Sequence, residues 1–204
     1  MQESRPLPII HINGFPGTGK LTIARILLGL FRDGAAKLVH NHLLINPADA
    51  VLDRDQPGYQ KLRRQIRSAV FESLVDEEST YSSAYIFTDC QTGNELGVAV
   101  CEEYRECASR RGCDFVPITL CCDEETNLAR LAGDGRSAQG KLIDTALLRR
   151  FRREGELYTF DDHPTGLRLD VSRMSAEEAA RAIFDYLVEI APRLKGQVKD
   201  SVNT

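Results

Sequence analysis

The chain is 204 residues long, 42% hydrophobic and 27% charged, which suffices for one domain with a proper core, and no proline- or serine-rich linker divides it. A formal net charge of −4 and a sequence pI near 5.6 exclude a global basic field for nucleic acid or an anionic membrane, so any anion site must come from local clusters. No apolar run is long enough to cross a bilayer and the opening MQESRPLP lacks the apolar centre of a signal peptide, so a cytoplasmic protein is expected.

In chain order, Ile9, Ile10 and Ile12 predict a buried strand, and a glycine-rich stretch follows at once. Gly14, four residues, Gly19 and Lys20 have the spacing of a phosphate-binding P-loop of Walker A type. In such a loop backbone N–H groups face phosphate oxygens, the lysine reaches the β and γ phosphates, and the next helix turns its positive end to the same anion. Gly14, Phe15, Pro16, Gly17, Thr18, Gly19, Lys20, Leu21 and Thr22 are therefore the candidate nucleotide cradle. Ile23, Leu27, Leu30 and Phe31 recur at helical spacing behind it, with Asp33 and Gly34 as the stop.

Residues 37–40 predict a second strand, read as ending in HNHLL, and Leu62, Ile66, Ala69, Val70 and Leu74 a helix opening near Pro57. Residues 85–87 form a third strand running to Asp89, a helix covers about 94–110, residues 115–120 are a fourth strand and 167–171 a fifth. Ser175 and Glu178 make a capping box for a last helix through Ala180, Ile183, Phe184 and Leu187. Residues 1–7 and the polar stretch 193–204 are expected to fray. Alternating strands and helices argue for a parallel sheet covered on both faces. The six cysteines include no C-x-x-C pair and their steps of six residues return to no single helix face, so they are read as reduced thiols without chemistry.

The loop, in which Leu21 replaces the usual Mg²⁺-ligating Ser or Thr and Thr22 follows, resembles that of the nucleoside monophosphate kinases and of small-molecule kinases of the shikimate and chloramphenicol type. The resemblance implies an α/β, three-layer P-loop NTPase fold: a five-stranded parallel sheet with helices on both faces and a short lid. It also implies ATP and Mg²⁺ as cofactors, the cation being held mostly through water and substrate phosphates near Thr22 and Asp89. Asp89 ends YIFTD, where the superfamily places a Walker B carboxylate and where open sheets of this class form their ligand crevice. By position, Arg130 would lie against the base or phosphates and Arg136, in a lid of about residues 131–141, would reach the transferred group, with Arg150 or Arg153 as weaker possibilities.

Where the shikimate- and chloramphenicol-type kinases place an acceptor-contacting aspartate, this chain has Asn41, which cannot act as a base. His42 is the candidate base, with His40, Asp89 or no base as the alternatives. Arg63 and Arg67, four apart on one helix face, would present a cationic surface to an acceptor bearing carboxylate or phosphate, or pair with Glu72, Asp76, Glu77 and Glu78. The expected activity is ATP-dependent phosphoryl transfer to a small molecule, with Lys20 and Arg136 stabilising the transition state. A nucleoside monophosphate kinase is the nearest alternative, although CQTG after Asp89 replaces the Gly-Phe-Pro-Arg of adenylate kinases, and a nucleotide-dependent switch is the non-catalytic one. No nucleic-acid or membrane partner is expected, and nothing in the sequence specifies an oligomeric state.

Overall fold

The computed structural model describes residues 5–132, 148–149, 152–153 and 155–199. Their elements run β1 (Ile9–Asn13), α1 (Lys20–Gly29), β2 (Ala36–His40), α2 (Asn41–Asp49), α3 (Tyr59–Asp76), β3 (Ala84–Asp89), α4 (Glu95–Arg111), β4 (Phe115–Cys121), α5 (Glu124–Ala132), β5 (Leu167–Asp170) and α6 (Ala176–Ile190). The five strands are all parallel in the order β2-β3-β1-β4-β5. The expected three-layer sheet is the one found.

Strand alternation divides the core. Ile10, Ile12, Ile86, Val116 and Ile118 face Ile23 and Leu27 of α1 and Ile183 and Leu187 of α6. Ile9, Tyr85, Phe87 and Phe115 face Phe71 and Leu74 of α3 and Val100 and Tyr104 of α4. Because β1 is central and buried along its whole length, its carboxyl end delivers the glycine loop to the middle of the sheet's upper edge. The capping box forms as expected: the Ser175 hydroxyl accepts from the Glu178 N–H at 3.1 Å and the Glu178 carboxylate from the Ser175 N–H at 2.8 Å.

Three local expectations are corrected. The second strand stops at His40, and Asn41 opens helix α2 because Leu44, Ile45 and Ala48 bury one helical face; Pro47, a helix breaker inside that segment, hides the helix from a pattern reading. Helix α1 ends at Gly29 and not beyond Phe31, whose buried ring packs against Phe184 of α6. The chain after Pro192 does not fray through residue 199: Pro192–Gln197 is a 3-10 turn with Leu194 buried, and Lys199 N–H donates to the Leu30 carbonyl at 3.1 Å. Leu7 is likewise buried, its N–H bonded to the Tyr81 carbonyl at 3.0 Å. All six cysteines are free thiols. Among the described residues no helix is long and apolar enough to cross a membrane.

Candidate active site

The loop between β1 and α1 has the backbone that its glycines allow. Gly17 has φ +92° and Gly19 +91°, in the left-handed region that side chains disfavour. Gly17 also lies under α5: a Cβ there would stand 2.5 Å from the Asn127 amide nitrogen. Gly14 is pressed against the Leu120 carbonyl, 2.9 Å from where its Cβ would be. The Lys20 ammonium curls over the loop, donating to the carbonyls of Gly14 at 2.5 Å and Phe15 at 2.8 Å. Thr18 closes the turn through its hydroxyl, 2.9 Å from the Phe15 carbonyl. Helix α1 begins directly after Gly19 with no side-chain cap and no acidic residue in its first turn. Its positive end therefore faces the loop with no carboxylate of its own sequence to neutralise it.

A cavity of about 400 Å³ opens from Gly17, Thr18, Gly19 and Thr22 towards Arg130 and the segment between β5 and α6. Arg130, on α5, forms part of its wall and is fixed by donating to the carbonyls of Val171 at 2.8 Å and Met174 at 3.1 Å. Thr22 is exposed at the mouth of the same cavity. The sequence-predicted residues of this side thus come together in space.

Asp89 is 1% exposed at the end of β3, and parallel pairing with β1 sets it opposite Asn13, the residue before Gly14. One carboxylate oxygen accepts from the Cys90 N–H at 2.7 Å and the other from the Tyr104 hydroxyl at 3.3 Å. Burial, then the Asp89 charge, push the Tyr104 phenol well above its ordinary pKa, so it stays a donor. Burial also raises the Cys90 thiol, with Lys20 opposing the shift.

The residues expected on the acceptor side are less unified. His40 lies beside Thr88 in the sheet register, and its ring centroid is 6.1 Å from that of His42, which is partly exposed in the first turn of α2. The Asn41 N–H points to the Thr88 hydroxyl at 3.4 Å. Arg67 is 4% exposed and bonded through two nitrogens to Glu103 of α4, each at 2.6 Å; the partner lies across the layer and is none of the acidic residues considered on its own helix. Arg64 reaches the other Glu103 oxygen at 3.4 Å. Arg63 is half-buried, and its Nε has no hydrogen-bond partner among the described residues. Arg136, the expected lid from residue 133 on, and Arg150 lie outside the described residues, while Arg153 is exposed.

Several polar residues at the site carry no sequence signal of their own. Asn127, fully buried on α5, donates to the Pro16 carbonyl at 2.7 Å and accepts from Arg152 at 2.9 Å. The Arg152 guanidinium also donates to the Cys122 carbonyl at 3.2 Å and lies 5.4 Å over the Phe15 ring, with no ion-pair partner among the described residues. Asn13 is 2% exposed, and its only sequence mark is its place before Gly14. His11 is 1% exposed among Tyr104, Phe115 and Phe160, and burial holds its pKa down at about 4, so it is neutral.

No protein-family model and no curated protein matches the sequence. Among solved structures, the chain is similar to a gluconokinase from Sinorhizobium meliloti 1021 at TM-score 0.60 and 15% identity, covering 94% of this chain and 97% of that one. It is similar to a sugar kinase from Janibacter sp. HTCC2649 at TM-score 0.60 and 20% identity, over 93% and 98% of the two chains. It is also similar to thymidylate kinase from Candida albicans at TM-score 0.56 and 15% identity, over 96% of each. At these identities the likeness is one of fold, and the chain has the fold of the P-loop kinases.

Proposed function

We propose that this chain is an ATP-dependent kinase that moves the γ-phosphoryl group to a small-molecule acceptor, acting in the cytoplasm, where six free thiols persist. The observation that carries the reading is the uncapped, carboxylate-free start of α1 behind a left-handed glycine loop, with Lys20 lying across it and a nucleoside-sized cavity leading to Arg130. Those groups fit a nucleoside triphosphate: loop and first-turn N–H groups take the phosphates, Lys20 follows them, and Arg130 flanks the base. Thr22 and Asp89 offer oxygen donors only, which suits Mg²⁺. Bound there, the cation would neutralise charge on the phosphate oxygens.

Lys20 and a cationic side chain from beyond α5 would stabilise the charge that spreads over the transferred group. Arg136 is proposed for that role from its sequence context. Arg152 joins it because its guanidinium is held over Phe15 with no acidic partner among the described residues, which keeps its charge available to the loop. Asp89 already accepts two hydrogen bonds, so we assign proton removal from a hydroxyl acceptor to His42, which is partly exposed at the adjoining strand end. Asn41 and Arg63 complete the proposed acceptor side, with Arg67 behind them, held by Glu103.

Incubating the full chain with γ-labelled ATP, Mg²⁺ and pooled metabolites, including nucleoside monophosphates, tests this reading. Label should pass to an organic acceptor, and Lys20→Ala should slow the transfer by about 10²–10³-fold. Label appearing only as inorganic phosphate, equally in both proteins, overturns it.

A further inference from the structure

We infer that Asn13 is a positioning residue that couples the phosphate loop to a strap, residues 155–160, laid along the end of β3; the inference rests on the nucleotide reading above. The Asn13 side chain takes no part in the β1–β3 pairing, which the backbones complete by themselves. Its Nδ2 donates to the carbonyls of Gln91 and Tyr158, each at 2.9 Å, and its Oδ1 accepts from the Gln91 N–H at 2.8 Å. Both amide protons are used. A carboxylate at this position would keep the Gln91 N–H bond but turn negative oxygen towards two carbonyl oxygens, so the chemistry calls for an amide.

The strap belongs to no sheet strand, yet it is tied down at residues 156–158 and at Phe160. Thr92 and Leu157 form an antiparallel bridge, the Gly93 N–H donates to the Glu156 carbonyl at 2.9 Å, and the Tyr158 N–H donates to the Gln91 carbonyl at 3.0 Å. The Tyr158 hydroxyl donates to Glu102 of α4 at 3.0 Å. At the far end Phe160 packs 5.1 Å from Phe115 and 6.3 Å from His11.

Two routes from the strap converge on Asp89. One runs through Asn13 and Gln91 to Cys90, whose N–H fixes an Asp89 oxygen. The other runs through Phe160 and His11 to Tyr104, ring centroids 4.4 Å apart, and by the Tyr104 hydroxyl to the second oxygen. Asn13 is bonded covalently to Gly14, so a shift of the loop on taking phosphate moves the amide that holds both the turn after Asp89 and the strap. Occupancy of the nucleotide side is thereby transmitted to the carboxylate and to the acceptor side.

Hydrogen–deuterium exchange on the full chain, with and without Mg²⁺ and a non-hydrolysable ATP analogue, tests the coupling. In the wild type the analogue should slow exchange roughly tenfold both in residues 14–22 and at the amides of Gln91, Gly93 and Tyr158. In Asn13→Asp the loop should still respond while Gly93 and Tyr158 do not. Transfer to whichever acceptor the labelling experiment identifies should lose about tenfold or more in kcat while KM for the nucleotide stays within about threefold, as expected when alignment and not binding is lost. Should Asn13→Asp not fold, Tyr158→Pro deletes the N–H that binds Gln91 and leaves Asn13 intact; it should abolish the Gly93 response with the loop response retained. Strap amides that respond equally in wild type and variant, or a wild-type loop response with a silent strap, overturn the coupling. No response at residues 14–22 in the wild type overturns the nucleotide reading itself, and this inference with it.

Discussion

On the proposed nucleotide side, consecutive residues from Gly14 to Thr22 form the loop, and Arg130, Asn127 and Arg152 reach it from elsewhere in the chain. On the proposed acceptor side, His40 and His42, Arg63, Asp89 and Tyr104 come from five elements, and the buried Arg67 guanidinium is held by Glu103 across the layer. The first region presents backbone donors whose geometry follows from glycine positions. The second depends on how α2, α3 and α4 lean on one another. An anion site of the first kind tolerates a change of fold partners, whereas a specificity site of the second kind changes with any of its helices, which is how one scaffold comes to carry different acceptors.

The largest effect should come from Gly17→Ala. The new Cβ would meet Asn127 at 2.5 Å in a residue already at φ +92°, so nucleotide affinity should fall by about 100-fold or more, with about 2 kcal/mol of stability lost. Calorimetric titration and urea unfolding check both; unchanged affinity would break the backbone-cradle half of the comparison. Lys20→Ala should lower the transfer rate by about 10²–10³-fold, in the range found when one preorganised charge-stabilising donor is removed. Initial rates on the acceptor identified by labelling measure it.

Glu103→Ala tests the other side, because it leaves the Arg67 guanidinium buried without its partner and should cost about 3 kcal/mol. A urea midpoint unchanged by this substitution, with acceptor affinity raised, would show that Arg67 serves the substrate and not the helix packing. His11 gives a pH test. Its folded pKa of about 4 lies below the ordinary histidine value of 6.5, so the unfolded chain binds the extra proton between these values. The contribution is complete above about pH 6.5 and is lost as pH falls towards 4, amounting to about 2.5 kcal/mol at pH 4.5. The difference in urea stability between pH 7 and 4.5 should shrink by that amount in His11→Leu; an identical pH response in both proteins would refute the assignment. The smallest effect belongs to Ser175→Ala, which removes a cap at the cavity edge and should cost about 1 kcal/mol, read as a lowered melting temperature.

The periodicity of Ile23 and Leu27 and the strand-like Ile9–Ile12 run made β1, the loop and α1 legible, since a strand and a helix that bury one face must repeat it at fixed spacing. The same rule exposed β3, β4, β5 and α6. It missed α2, where Pro47 breaks the pattern while Leu44, Ile45 and Ala48 still bury their face, and it read the end of the chain as frayed because Leu194 and Val198 are too few to form a period. Arg63 and Arg67 looked equivalent on their helix face. Only the packing of α4 distinguishes them, by setting Glu103 against the second.

By itself the sequence determined the glycine loop between β1 and α1, the parallel α/β layering and the strand-end place of Asp89, because each follows from spacing over a few residues. Tertiary structure alone decided that Asn13 would hold Gln91, 78 positions on, and Tyr158, 145 positions on, and that Arg152 would reach Asn127. Local patterns act through bonds and short-range sterics that every copy of the motif shares. A hydrogen bond between distant side chains exists only once the strand order has brought its two ends within 3 Å, and nothing in either residue's neighbourhood announces the other.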